Sequence, residues 1–201
     1  MLNKILLMYL VAVLPLVLMH GYGSHEGDLF GLSPRLPLGP VIASLRAPIP
    51  ENGGNAWFTM RDSTPGDPPQ ANVDAAASAV LEWLDTQEHT TVGLLGFSQG
   101  AALSLQLLRH APERFAATVA LSGFIASGGH PGDAELERVK PKVFYGRGTV
   151  DQIITPAAVE RTEAWLPSHT TDTSRIYEDL AHSISTQELT DLAAFLRDNL
   201  R

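Results

Sequence analysis

The chain has 201 residues, a formal net charge of −8, an ordinary apolar share and no cysteine. That length suits one domain with a sizeable core. The acidic balance lacks the basic footprint that nucleic-acid binding needs and offers no attraction to anionic lipid head groups, and the absence of cysteine rules out disulfides, a thiol nucleophile and thiolate metal sites.

The chain opens with one lysine in an apolar run from Met1 to Met19. Ile5 to Met19 is short of a comfortable membrane span, Pro15 interrupts it, and no small-residue cleavage site follows. It reads as two sheet segments, Ile5 to Val13 and Pro15 to Met19, which predicts a cytoplasmic protein; membrane association or export is the alternative. His20-Gly21-Tyr22-Gly23-Ser24 then reads as a loop in which two glycines let the backbone approach a ligand. Val41 to Leu45 reads as a strand. Pro48 to Asn55 and Arg61 to Gln70, rich in Pro and Gly, read as loops on a pocket rim. Asn72 to Thr86 carries Val73, Ala76, Val80, Leu81 and Leu84 at helical spacing. Thr91 to Phe97 is apolar enough for a buried strand, and Ala101 to Leu108 follows with good helix formers. Ala117 to Ser122 and Pro141 to Gly146 read as strands. Thr155-Pro156 opens a helix, with a cap residue followed by proline at the first helical position. Arg175 to Tyr177 reads as a last strand. Ser185 and Glu188 have capping-box spacing ahead of an apolar stripe at Leu189, Leu192 and Leu196. Alternating strands and helices predict an α/β fold in one domain over residues 1–201, with a mainly parallel central sheet and helices on both faces. No insertion is long enough for a large lid.

The chemistry concentrates at Gly96-Phe97-Ser98-Gln99-Gly100, a G-x-S-x-G sequence between a predicted strand and a predicted helix. Such a turn lifts the serine hydroxyl above the sheet, and the glycines remove side chains that would obstruct it. Serine needs a base to take its proton and an acid to orient that base, in the chain order Ser, Asp/Glu, His. Asp151, in Gly148-Thr149-Val150-Asp151, follows the strand that ends at Gly146. His182, in Ala181-His182-Ser183, follows the last strand. Only His169 and His182 lie downstream of Asp151. His169, among Ser and Thr, reads as a solvated loop residue, Glu178 and Asp179 as solvated carboxylates, and His25, His89, His110 and His130 as surface residues. An oxyanion hole calls for two backbone N–H groups. Gln99, after the nucleophile, and Tyr22, in the early glycine loop, are the candidates, with His20 bracing that loop. Trp57, Phe58, Phe30, Leu32, Phe124 and Ile153 lie in or beside loops that face this centre and are candidates for an acyl slot. No spacing of His and Asp suggests a metal, no glycine-rich phosphate loop occurs, and no cofactor is expected.

These blocks together resemble the small phospholipase/carboxylesterase family of α/β hydrolases, which includes the acyl-protein thioesterases. The matching residues are Leu18 to Ser24, Arg46-Ala47-Pro48, Ala56-Trp57-Phe58, Gly96 to Gly100, Leu121-Ser122-Gly123, Gly146 to Asp151 and Ala181 to Ile184. Thr59 departs from the pattern, since many members carry an acidic residue there. The resemblance implies an α/β-hydrolase fold, hydrolysis of carboxylic esters (in some members thioesters or lysophospholipids), a Ser98–Asp151–His182 triad, and Tyr22 and Gln99 as oxyanion donors. An open pocket predicts short- to medium-chain soluble esters as substrates. Acyl transfer, lactone or peptide hydrolysis on the same scaffold, a membrane-anchored esterase and a non-catalytic binding module are the alternatives. The oligomeric state is not legible in the sequence.

Overall fold

Five largely apolar runs and one polar run, Thr171–Tyr177, separated by helices, come together as one parallel sheet. The computed structural model describes residues 14–37, 39, 41–60, 63–64 and 66–200; the strand expected over Ile5 to Val13 lies outside them. The strands are β1 (Leu16–Met19), β2 (Ile42–Leu45), β5 (Val92–Phe97), β6 (Phe115–Leu121), β7 (Lys142–Gly148) and β8 (Thr171–Tyr177), in the order β2-β1-β5-β6-β7-β8. Every pairing is parallel. A parallel sheet needs crossover connections, and these put helices on its faces. The helices are α1 (Gly27–Phe30), α2 (Gln70–Asp85), α3 (Gln99–His110), α4 (Asp133–Val139), α5 (Pro156–His169) and α6 (Thr186–Asn199).

The two-residue period of a strand divides the core into two layers. Val17 and Met19 of β1 pack with Leu94, Leu103, Leu107 and Leu166 from β5, α3 and α5. Leu16 and Leu18 pack on the opposite face with Leu95, Leu192 and Leu196 from β5 and α6. Truncating any of these fully buried leucines to alanine costs about 2–5 kcal/mol. Helix α3 is buried along nearly its whole length, which fits its place against β5, β6, β1 and α2.

Several predicted elements differ in detail. Pro48 to Asn55 is not a plain loop. Ile49–Glu51 (β3) and Gly54–Ala56 (β4) pair antiparallel, joined by Asn52-Gly53, both at positive φ, which is the Asn-Gly hairpin turn. His169 is not in a solvated loop. It is the last residue of α5, its Nδ1 meets Trp165 O at 2.8 Å, and its ring stacks on the Trp165 indole. The capping box at α6 is half formed. Ser185 Oγ accepts from Glu188 N at 3.0 Å, but the Glu188 carboxylate turns into the core, where neither oxygen has a hydrogen-bond partner. Helix α4 was not foreseen; Asp133 and Glu135 in its first turn complement the helix dipole.

Among the described residues no large lid is evident, and no helix is long and apolar enough to cross a membrane. The loops after β1, β5, β6, β7 and β8 gather at the carboxyl end of the sheet, where open α/β folds carry their sites.

Candidate active site

Ser98 follows β5 and caps α3 with φ 54° and ψ −114°. That conformation is strained for a residue with a side chain. It is held by Ser98 N donating to Leu121 O at 2.8 Å and by Ala101 N and Ala102 N donating to Ser98 O, each at 3.0 Å. The flanking glycines are required by space. A Cβ on Gly96 would overlap the Gly100 carbonyl, and one on Gly100 would overlap the Met19 carbonyl of the neighbouring strand.

Two further loops meet this turn. His182 Nε2 lies 2.9 Å from Ser98 Oγ, and His182 Nδ1 lies 2.7 Å from Asp151 Oδ2. The other Asp151 oxygen accepts backbone N–H bonds from Ile153 at 2.8 Å and Ile154 at 3.2 Å. The carboxylate is therefore oriented by its own loop as well as by the imidazole, with a side chain only 6% exposed. The Phe97 ring packs on the His182 ring, centroids 4.9 Å apart. Glu178 and Asp179 lie exposed.

Gln99 opens α3, where the first N–H groups have no intrahelical acceptor and the dipole favours negative charge. Its side chain has a role that the sequence reading missed. Oε1 accepts from Trp57 N at 2.8 Å and Nε2 donates to Phe58 O at 2.6 Å. The buried amide thus clamps the Trp57-Phe58 segment beside the nucleophile. His20 is 1% exposed. Its Nε2 accepts from Ala47 N at 3.2 Å, so the neutral ring carries its proton on Nδ1, which donates to Gly21 O at 2.7 Å. Burial lowers the His20 pKa and keeps it in that neutral form. Trp57 Nε1 donates to His20 O at 2.8 Å. The loop from His20 to Ser24 is also stitched to β4, through Gly23 N to Asn55 O at 2.9 Å and Asn55 N to Ser24 O at 2.8 Å.

The six acyl-slot candidates divide. Trp57, Phe58 and Phe124 lie in the buried core, whereas Phe30 is 50% and Ile153 62% exposed and Leu32 is half-buried. A cleft of about 290 Å³ adjoins Asp151 and is lined in part by Ser122, Gly123, Tyr145, Arg147 and Glu163. None of the six candidates lines it. Ser122 is held at φ 46° and its buried Oγ lacks a protein partner. Burial pushes the Tyr145 phenol well up, so it stays protonated and donates to Gly123 O at 3.3 Å. Arg147 pairs with Glu163 at 2.7 Å. The arrangement has the parts for nucleophilic acyl transfer: a turn serine that is itself buried, an imidazole in contact with it, and a carboxylate behind the imidazole.

Comparison with known proteins shows the family. Residues 14–200 match the family described as Phospholipase/Carboxylesterase. The chain is 29% identical over 214 residues to acyl-protein thioesterase 1 of Kluyveromyces lactis, covering 92% of each chain. It is 30% identical over 200 residues to the esterase YpfH of Escherichia coli, covering 92% of this chain and 81% of that protein. Among solved structures, the Bacillus cereus carboxylesterase superposes with a TM-score of 0.78 at 20% identity, over 92% of this chain and 88% of that one, a likeness of fold.

Proposed function

The chain belongs to the phospholipase/carboxylesterase family of α/β hydrolases, and from that premise we propose that it hydrolyses short- to medium-chain carboxylic esters through Ser98, His182 and Asp151. The observation that carries the reading is the continuous hydrogen-bond path from Asp151 Oδ2 through both imidazole nitrogens to Ser98 Oγ, at 2.7 and 2.9 Å. Its two contacts fit the proton relay of a serine hydrolase.

His182 accepts the Ser98 proton as Oγ attacks the acyl carbon. The carbonyl oxygen becomes negative and is met by the N–H groups of Gln99 and Tyr22, each worth about 3–4 kcal/mol in a comparable site. The tetrahedral intermediate collapses as His182 gives its proton to the leaving alcohol or thiol. Water, activated by the same imidazole, then attacks the acyl-enzyme and releases the acid. Asp151 holds the ring with its proton on Nδ1 and stabilises the imidazolium. The path uses no cofactor.

The open surroundings support soluble substrates. Among the described residues no large lid is evident, and Phe30, Val150 and Ile153 stand exposed. We infer a single catalytic domain acting on small-molecule esters, in a cytoplasmic setting. The relatives named acyl-protein thioesterases make a thioester a second leaving group to test.

The deciding experiment labels the protein with a fluorophosphonate and measures turnover of p-nitrophenyl acetate, butyrate and palmitate. Labelling should disappear in Ser98→Ala, and turnover should nearly vanish in both Ser98→Ala and His182→Ala. Labelling that survives Ser98→Ala would overturn the assignment of the nucleophile, and a clear palmitate preference would overturn the assignment of chain length.

A further inference from the structure

Far from Ser98, three side chains that are distant in sequence converge. Asp74 projects from α2, His110 closes α3, and His130 lies in the loop before α4. Among the described residues, these are the group of three His, Cys, Asp or Glu whose candidate ligand atoms all lie within 4.8 Å of one another. We propose that Asp74, His110 and His130 form a binding site for a divalent transition-metal ion of the zinc type, held by two imidazole nitrogens and a carboxylate oxygen.

The spacing fits such an ion. Ligand atoms about 2.0–2.1 Å from a tetrahedral zinc stand roughly 3.3–3.4 Å apart. Asp74 Oδ1 is 2.9 Å from His110 Nε2 and 3.7 Å from His130 Nε2, so the distances bracket that value, and the two imidazole rings lie 4.7 Å apart between centroids. Two imidazoles and a carboxylate are a donor set suited to zinc, copper or nickel rather than to calcium or magnesium. The carboxylate is already aimed, since Gln106 Nε2 donates to Asp74 Oδ1 at 2.6 Å, the kind of outer contact that orients a metal ligand. Side-chain exposures of 34% for Asp74, 22% for His110 and 11% for His130 leave one side open for entry and for a water as fourth ligand.

The local charge also fits. Arg109 is adjacent, but its guanidinium is engaged by Asp133 at 2.8 Å. Asp74 therefore leaves an excess negative charge beside two imidazoles.

Binding requires a proton shift on both rings: His110 Nε2 donates to Asp74 Oδ1 at 2.9 Å, so an ion there moves that proton to His110 Nδ1, and His130 must change as well. Gly132 N donates to His130 Nδ1 at 3.0 Å, which puts the neutral proton on Nε2, the ligand atom. An ion at Nε2 moves that proton to Nδ1 and breaks the Gly132 contact. Gly128, at positive φ, and Gly129, with open space around it, lie next to His130 in this loop. The ion would then clip α2, α3 and the loop before α4 together. The 12 residues of α3 put the site about 18 Å from Ser98 along the helix, so its effect falls on stability rather than on the chemical step.

The test uses the full chain, freed of metal by chelation and titrated with ZnCl2 by calorimetry and thermal unfolding. We expect one ion per chain, a Tm that rises with zinc concentration, and affinity at least tenfold lower in both His110→Gln and His130→Gln. His182→Ala should bind as the parent does, which separates this site from the catalytic imidazole. Should the glutamine variants fail to fold, CoCl2 added to His182→Ala gives a second readout, because tetrahedral nitrogen-ligated cobalt absorbs in the visible. The proposal is overturned by the absence of saturable zinc binding, by binding that persists in both glutamine variants, or by cobalt bands that vanish in His182→Ala.

Discussion

At the residue scale, the buried carboxylates are opposites. Asp151 is satisfied on both oxygens, by His182 on one and by two backbone N–H groups on the other. Replacing it with asparagine keeps the shape but favours the wrong imidazole tautomer. Asp151→Asn should therefore lower kcat by about 10⁴, measured with p-nitrophenyl butyrate; near-normal turnover would mean that another acid serves His182. Glu188 is fully buried with neither oxygen hydrogen-bonded, and that burial raises its pKa to about 7. A carboxyl whose folded pKa lies above its unfolded one contributes stability that is fully present below the unfolded value, near 4.5, and lost as pH rises through about 7. A shift of that size corresponds to about 3 kcal/mol. Glu188→Gln should therefore gain stability over the parent at pH 8 but not at pH 4.5, measured by urea unfolding at both. An equal effect at both pH values would show that Glu188 does not titrate in this range. That Ser98, Asp151 and His182 meet was legible, because turn signals and chain order single them out. The Gln99 clamp was not legible, because its partners Trp57 and Phe58 lie about 40 positions away.

At the element scale, the β3–β4 hairpin buttresses the loop proposed to supply an oxyanion donor. Asn55 exchanges backbone hydrogen bonds with Gly23 and Ser24, and a Cβ on Gly54 would overlap the Gly23 and Ser24 carbonyls. Gly54→Ala should push the loop off its position, lowering kcat by about tenfold or more while Tm falls only slightly, because the hairpin lies outside the main sheet. A Tm loss as large as the activity loss would make the hairpin a stability element instead. The Asn52-Gly53 turn was readable from the sequence as a hairpin signal. The density of Pro and Gly around it concealed that signal, since the same residues mark irregular loops.

At the scale of the whole molecule, Arg109 joins layers that the chain visits separately. Its guanidinium is nearly buried and binds Asp133 of α4, Ala126 O and Gly128 O, and it lies 5.4 Å from the centroid of a Trp165 ring in α5. Burial lowers its pKa, but the paired Asp133 keeps it charged. Removing one partner of such a pair strands the other, so Arg109→Ala should cost about 3 kcal/mol of unfolding free energy. Denaturant unfolding would measure this, and a loss below about 1 kcal/mol would place the pair among ordinary surface bridges. Activity per folded molecule should change little.

What the residue order determined by itself was the kind of architecture and the kind of chemistry. Apolar runs at strand length, alternating with helical stripes, leave a parallel sheet as the way to bury both, and glycines on either side of a serine at a strand end permit one sharp turn. Both are local properties, carried by neighbouring residues. The tertiary structure decided whatever depended on residues far apart meeting: the cleft beside Asp151, the inward turn of Glu188 and the convergence of Asp74, His110 and His130. The physical reason is that burial, hydrogen-bond partnership and ligand spacing belong to the packed interior, where side chains from separate elements share one small volume, and no pattern along the chain encodes those distances.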